Sequence, residues 1–376
     1  MIFWILNCLL VFAICMLCAG ILIPQILLIA FRRNLFDEVD ERKIHHGTVP
    51  RLGGIAFVPV IFFSTILLCG IHIAMGNESF IDLFASNARA LCFGFCSILV
   101  LYLVGIADDL IGIRYSAKFV AQILCSVMLI AGGLTINNLH GILGIYILPD
   151  WISWLLTVLF VVFIINAINL IDGVNGLASG LSSVALLFYG YFFVLEERYI
   201  FAMLSFAAIG VLLPFFYYNV FGRAERRRTI FMGDTGSLTI GFLLCFLGIR
   251  LITCIPDDEG LPNPLLIMLS PLAIPSLDVL RVFIHRKRLH KNPFMPDKSH
   301  IHHKLLAAGM VQRGVMLVIV FGTVVLTFLN IFISRYIEVT ILALIDIVLW
   351  TVFNIWLTSR IKRSGSDLAK SWTSSN

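Results

Sequence analysis

Apolar stretches of about 20 residues, the length that crosses a bilayer core as a helix, recur eleven times along this chain. They fall at roughly 2–31, 52–75, 87–107, 117–134, 152–168, 177–195, 200–221, 236–254, 264–285, 314–334 and 338–358. A water-soluble globule of 376 residues could not hide so many, because its own surface must be wetted. Hydrophobic residues make up 60% of the chain and charged residues 13%, which also excludes disorder, coiled coil and a disulfide scaffold. The expected fold class is all-α: a polytopic membrane protein of about eleven transmembrane helices. It reads as a single domain over 1–376, with a tail at 359–376. The nine cysteines lie in or beside apolar stretches and read as small hydrophobes, Cys15 and Cys18 included. The first stretch is too long for a signal-peptide core and lacks a basic start, so it reads as a retained span.

Basic residues orient such a chain, because cytoplasmic loops accumulate lysine and arginine. The loops after odd-numbered spans, together with the C-terminal tail, hold 22 of the 27 basic residues. The expected topology therefore has the N-terminus outside and the C-terminus in the cytoplasm. Most histidines and the carboxylates Asp108, Asp109, Asp172 and Asp234 then share the cytoplasmic side. The outer loops keep only short acidic patches such as Asp257, Asp258 and Glu259.

Five polar constellations stand at that side. Asp108 and Asp109 end the third span, where adjacent carboxylates meet the negative pole of the helix and repel each other. A solvated helix end would explain an isolated pair, but acids at bilayer depth point to a site. Asn166, Asn169, Asp172 and Asn175 recur every three residues, so Asn169 and Asp172 share a helix face. Their oxygens are of the kind hard divalent cations take. Phe231-Met-Gly-Asp-Thr-Gly-Ser237 enters the eighth span with Asp234 at the helix N-terminus, as an N-cap or beside a phosphate-bound metal. Ser299-His-Ile-His-His-Lys304 lies in the largest basic loop, near Arg281, Arg286, Lys287 and Arg288. Ser299 is the expected N-cap of a short helix and Gly309 its C′ residue. On that helix His300 and His303 share a face and His302 points elsewhere. The histidines fit phosphate oxygens, a solvated run or zinc, although no cysteine or glutamate completes a zinc spacing. Arg42-Lys43-Ile44-His45 and Pro50-Arg51-Leu52-Gly53-Gly54 open the second span, as a topology signal or a further basic site. Metal-binding oxygens beside clustered cations at membrane level suit a reaction between a soluble diphosphate compound and a lipid phosphate.

The segments V-G-I-A-D-D-L-I-G (104–112), N-A-I-N-L-I-D-G-V-N-G-L-A (166–178), F-M-G-D-T-G-S-L (231–238) and S-H-I-H-H-K-L (299–305) occur in the order seen in one family. Together they resemble the polyprenyl-phosphate N-acetylhexosamine-1-phosphate transferases. D-E-R-K-I-H-H followed by V-P-R-L-G-G (40–54) is similar to that family's first cytoplasmic motif. The H-I-H-H form resembles the bacterial branch acting on undecaprenyl phosphate and UDP-GlcNAc, which starts O-antigen, common-antigen or teichoic-acid linkage synthesis. The resemblance implies transfer of GlcNAc-1-phosphate to undecaprenyl phosphate in the bacterial cytoplasmic membrane, releasing UMP, with Mg²⁺ or Mn²⁺ as cofactor. It implies that Asn169 and Asp234 hold the metal. Asp108 and Asp109 would orient or deprotonate the lipid phosphate, and Asp172 would sit in the sugar-nucleotide pocket. Phe231 would stack on uracil, and His300, His302 and His303 would grip the diphosphate. Lys43, His45, Asn166 and Asn175 complete the substrate contacts. No nucleic acid is expected as a partner, and a homodimer is compatible with this reading.

The chain departs from the family pattern at Asn175, where many relatives carry aspartate, and at Asp37-Glu-Val-Asp40-Glu. Asp346, in the last span, matches none of the family's motifs. A transporter of sugar nucleotide or polyprenyl phosphate is the main competing reading. Transporters gather binding groups near the midplane, whereas these acids stand at span ends. A non-catalytic assembly factor would need none of Asn169, Asp172 and Asp234.

Overall fold

Backbone N–H and C=O groups have no water to bond inside a bilayer, so apolar runs of this length close their hydrogen bonds within helices. The computed structural model describes residues 1–35, 49–223, 227–255, 262–290 and 299–364. Thirteen helices follow one another among these residues: α1 (Ile2–Arg33), α2 (Phe57–Ala74), α3 (Glu78–Ile111), α4 (Tyr115–Ala131), α5 (Asp150–Ile171), α6 (Leu177–Leu195), α7 (Tyr199–Phe216), α8 (Gly233–Cys254), α9 (Pro264–Leu269), α10 (Ala273–Arg288), α11 (Ile301–Ala307), α12 (Gln312–Ile333) and α13 (Val339–Ser364). The expected all-α membrane architecture is present. Ten segments among the described residues are long and apolar enough to span a membrane. The fourth expected span, α4, is apolar but has only 17 residues.

Local chemistry sets the departures from the expected boundaries. Helix α3 runs beyond 87–107 at both ends. Asn77 caps its start by accepting the Phe80 N–H, and Gly112 stops it at a φ of 69°. The ninth span is two helices, α9 and α10, with a tight turn at Ser270–Leu272 between them. Pro271 lacks the N–H that a continuous helix would use there. The expected tail at 359 begins as the last turns of α13.

Helix α8 stands at the centre, packed on α3, α5, α6 and α9, while α1 packs along α7 and α4 lies between α3 and α5. Glycines let the central backbones approach. A Cβ at Gly105 of α3 would lie 2.4 Å from the Thr235 Cα of α8, and one at Gly241 would lie 2.9 Å from the Ile165 Cα of α5. Cys15 is buried and Cys18 half-buried, both as free thiols in the packing of α1. The C-terminal ends of α3 and α5, the N-terminal ends of α6 and α8, and the start of α11 meet at one end of the bundle.

Candidate active site

The site is built where α3 meets the start of α8. The first N–H groups of a helix lack internal partners, and here the carboxylate of Asp109 supplies them from another span. It accepts the Asp234 N–H at 2.8 Å, the Thr235 N–H at 2.9 Å and the Thr235 hydroxyl at 2.5 Å. Asp109 is therefore the cap of α8, and Asp234 occupies the first turn instead of capping it. Gly233 makes this possible with a φ of 70°, and a Cβ there would lie 2.2 Å from the Arg51 carbonyl oxygen.

The Pro50-Arg51-Leu52-Gly53-Gly54 motif lies along the segment that leads into α8. The Phe231 N–H donates to the Pro50 carbonyl, and the Gly53 and Gly54 N–H groups donate to the Phe231 and Met232 carbonyls, each at 2.9 Å. A Cβ on Gly54 would meet the Gly236 nitrogen at 2.1 Å, so only glycine permits the contact. Two motifs nearly 180 residues apart thus form one backbone cradle. Lys43 and His45, from the same expected basic site, lie outside the described residues.

Asp108, Asp109 and Asp234 offer carboxylate oxygens that all lie within 4.8 Å of one another. The Lys118 ammonium of α4 donates to Asp108 at 2.6 Å and to Asp234. Asp108 also accepts the Ile113 N–H at 2.7 Å. Asn169 donates its amide to Asp234 at 3.1 Å and to the Ser237 hydroxyl at 2.8 Å. Asp108 and Asp234 share one lysine, with the Asp109 carboxylate beside them, so the cluster has room for further positive charge. The donor set fits a hard divalent cation: Asp234 and Asp108 present oxygens, and a half-turn of the Asn169 amide exchanges its donor for an acceptor. Asn166, one turn deeper, is committed elsewhere. Its amide donates to Gln122 of α4 and to the Val162 carbonyl, both at 2.7 Å, and so ties α5 to α4.

Asp172 caps the C-terminus of α5. Its pKa is pushed up to about 8 by burial first and then by the nearby charges of Asp234 and Asp109, with Arg51 opposing. A cation in the acid cluster would pull it back down. Asn175 is half-buried in the following turn. Gly176, at a φ of 79°, donates its N–H to Asn219 at 2.6 Å, and Asn219 in turn donates to the Ile230 carbonyl at 2.7 Å.

The histidine segment closes over this corner. Its helix starts at Ile301 with His300 as the flanking residue, not Ser299, so the expected pairing of faces is corrected. His302 does not point away: its ring lies parallel to that of His300 at 5.8 Å and is 4.3 Å from that of His303. His300 leaves the helix register because Asp278 holds it. The fully buried Asp278 carboxylate accepts from His300 Nδ1 at 2.8 Å, from the Ile301 N–H and from Arg281. Gly309, at a φ of 92°, does follow α11 as expected. His302 is buried directly against Gly173, where a Cβ would meet its Nε2 at 2.4 Å. Burial, and then the neighbouring His303 and His300, drive its pKa well below the usual histidine value, so the ring is neutral near pH 7. His302 therefore offers a hydrogen bond, not a charge, and its Nδ1 has no partner among the described residues.

Asp108, Asp109, Asn169, Asp234 and Phe231 thus meet at the acid cluster and its cradle, with Asp172, Asn175 and the three histidines alongside. Sequence reasoning missed Lys118, which it read only as a topology charge, and Asp278, Thr235, Ser237 and Asn219. Asp278 had a usable signal, a carboxylate three residues before Arg281 within an apolar span.

Residues 91–252 match the profile of glycosyl transferase family 4. The undecaprenyl-phosphate alpha-N-acetylglucosaminyl 1-phosphate transferase of Pasteurella multocida is 34% identical over 299 residues, covering 79% of this chain and 78% of the relative. The chain belongs to glycosyl transferase family 4. A protein of the same description from Salmonella typhi is 29% identical over 307 residues, 79% of this chain and 76% of the relative. The probable undecaprenyl-phosphate N-acetylglucosaminyl 1-phosphate transferase of Bacillus subtilis is 30% identical over 315 residues, 82% of this chain and 80% of its own. The glycosyl transferase family 4 match contains the acid cluster and the Asn166–Asn175 segment, while the histidine segment lies beyond it.

Proposed function

We propose that this protein transfers GlcNAc-1-phosphate from UDP-GlcNAc to undecaprenyl phosphate and releases UMP, as the first membrane step of a cell-surface polysaccharide. The observation that carries the reading is the meeting of Asp108, Asp109, Asp234 and Asn169 at one end of the bundle, among relatives described as such transferases. A phosphate oxygen of the lipid attacks the sugar-bearing phosphorus, and the bond from that phosphorus to the UMP oxygen breaks. The two phosphates repel, so the site's work is to position them and neutralise charge.

The chain's own groups fit those tasks. Both oxygens of Asp109 are engaged by α8, and Asp108 holds the Ile113 N–H and Lys118. A phosphate monoester with a second pKa of about 6 is already largely ionised at pH 7, so neither aspartate has to act as a base. Lys118 supplies positive charge at the attacking phosphate. Asp234, Asn169 and Asp108 would hold Mg²⁺, which when bound offsets charge on the phosphoryl oxygens. His302 donates to a diphosphate oxygen as a neutral imidazole. The bias of basic residues supports a site at the cytoplasmic face of the bacterial inner membrane, where nucleotide sugar is available.

The test is passage of radiolabelled sugar from UDP-GlcNAc into an organic phase by the purified protein with undecaprenyl phosphate. Product formed without any partner protein supports the transferase. Its absence, with other UDP-N-acetylhexosamines also inert, overturns it in favour of a transporter or assembly factor. A reporter fused after Lys362 should read cytoplasmic; an external reading would reverse the assigned face.

A further inference from the structure

The last span has no part in the acid cluster, yet it carries a polar stripe. Asp346, Trp350, Asn354 and Thr358 recur every fourth residue, so they line one face of α13. Asp346 accepts the Asn330 amide of α12 at 2.7 Å, and Asn330 also donates to the Ser270 hydroxyl at the α9–α10 break. At the other end of α13, the Leu143 N–H donates to the Thr340 hydroxyl at 2.8 Å. Nearest the site, Lys304 of α11 donates its ammonium to Asn354 and to Thr358, each at 3.1 Å. Helix α13 is therefore fastened at three levels, two of them by the stripe, whose last level grips the helix that carries the histidines.

That helix needs outside support. It has seven residues, too few to be stable alone. Its apolar underside, Ile301 and Leu305, borders a cavity of about 280 Å³ shared with α10, α12 and α13. Packing alone therefore leaves α11 room to shift. Two polar ties oppose the shift. Asp278 fixes the front of the helix through His300 and the Ile301 N–H. Lys304 fixes the rear, and it is itself buried. His302 lies between these ties, seated on Gly173 beside Asp172.

We propose that α13 positions the histidine helix through the bonds of Asn354 and Thr358 to Lys304, so that the last span sets the seat of His302 on Gly173. This rests on the proposed transferase reading for its kinetic consequence, but not for its structural one. Asn354 and Thr358 are positioning residues, since neither touches the acid cluster.

The experiment compares the full-length wild type with Asn354→Leu, Asn354→Asp and Thr358→Val. Hydrogen exchange of peptides covering 299–309 reads the seat of α11 without reference to activity. Asn354→Leu should speed exchange there about tenfold, the scale of one lost hydrogen bond to a charged group, and leave α3 and α8 peptides unchanged. Asn354→Asp keeps an acceptor oxygen facing the ammonium and should restore wild-type protection. In the transfer assay, Asn354→Leu should raise KM for UDP-GlcNAc about tenfold while kcat changes less than twofold; Thr358→Val should do the same more weakly. Unchanged exchange at 299–309 in both Asn354→Leu and Thr358→Val would overturn the proposal. So would faster exchange that the aspartate fails to restore. If the wild type transfers no sugar, the functional reading falls, and the exchange data still decide whether α13 seats α11.

Discussion

Helices α8 and α13 are equally apolar, yet 83% of the residues in the most apolar stretch of α8 are buried against 17% in α13. Hydropathy says that both belong in a membrane and nothing about where in the bundle they stand. Side-chain size makes the difference. Gly236, Gly241 and Gly248 open α8 to its neighbours, with Met268 of α9 filling the groove at Gly248. Helix α13 has no glycine and turns Leu349 and Trp356 outward. Without a hydrophobic drive between lipid-solvated helices, close backbone approach and polar contacts decide packing. Helix α8 uses the first means and brings Asp234 into the acid cluster; α13 uses the second and is fastened by its stripe.

The largest expected effect lies on α8. Asp234→Asn is nearly isosteric, so the protein should insert and fold while Lys118 keeps Asp108. It removes one negative charge from the acid cluster. Loss of one preorganised electrostatic contact costs roughly 10²–10³ in rate. Release of UMP by the purified variant, with and without Mg²⁺, measures it. Near-normal turnover with unchanged Mg²⁺ dependence would remove α8 from the chemistry.

Much of this end of the molecule was legible in the sequence. Spans, motif order and most acidic groups follow from apolar length and from polar residues that a bilayer would otherwise reject. What was not legible depends on contacts between distant segments. Nothing in Asp109 itself says that it caps a helix more than 120 residues later; only the Gly105–Thr235 approach reveals it. Lys118 was indistinguishable from the other basic residues that set topology until α4 placed it between Asp108 and Asp234. His302 was assigned the wrong direction because helical periodicity was applied through His300, which Asp278 holds outside the helix.

A smaller effect tests packing. Gly105→Ala would place its Cβ 2.4 Å from the Thr235 Cα, backbone that cannot swing aside. Overpacking of this kind costs about 1–3 kcal/mol, less up to about 1 kcal/mol from the gain in helix propensity. Leu349→Ala on the exposed face of α13 should stay within about 0.5 kcal/mol. Thermal unfolding of the two variants in the same detergent compares them directly. Equal shifts would mean that burial by α8 does not govern stability.

The smallest effect concerns Asp346, the intramembrane acid that matches no family motif. If α13 is a strut, its carboxylate serves only the bond to Asn330. Asp346→Asn leaves an amide oxygen able to accept the same N–H, and Asn330 still reaches the Ser270 hydroxyl at 3.2 Å. Asp346→Leu removes the bond outright, and interhelical hydrogen bonds in membranes are worth about 0.6 kcal/mol on average. The position lies eight residues from Asn354, about 12 Å along the helix at 1.5 Å per residue, too far to disturb the grip on Lys304 directly. Turnover in the transfer assay should therefore remain within about twofold of wild type for both substitutions, since a loss of 0.6 kcal/mol changes an equilibrium constant less than threefold even where it is fully expressed. A tenfold loss of turnover in Asp346→Asn, with the protein still folded, would give the carboxylate a part in the reaction and end the division between a chemical α8 and a supporting α13.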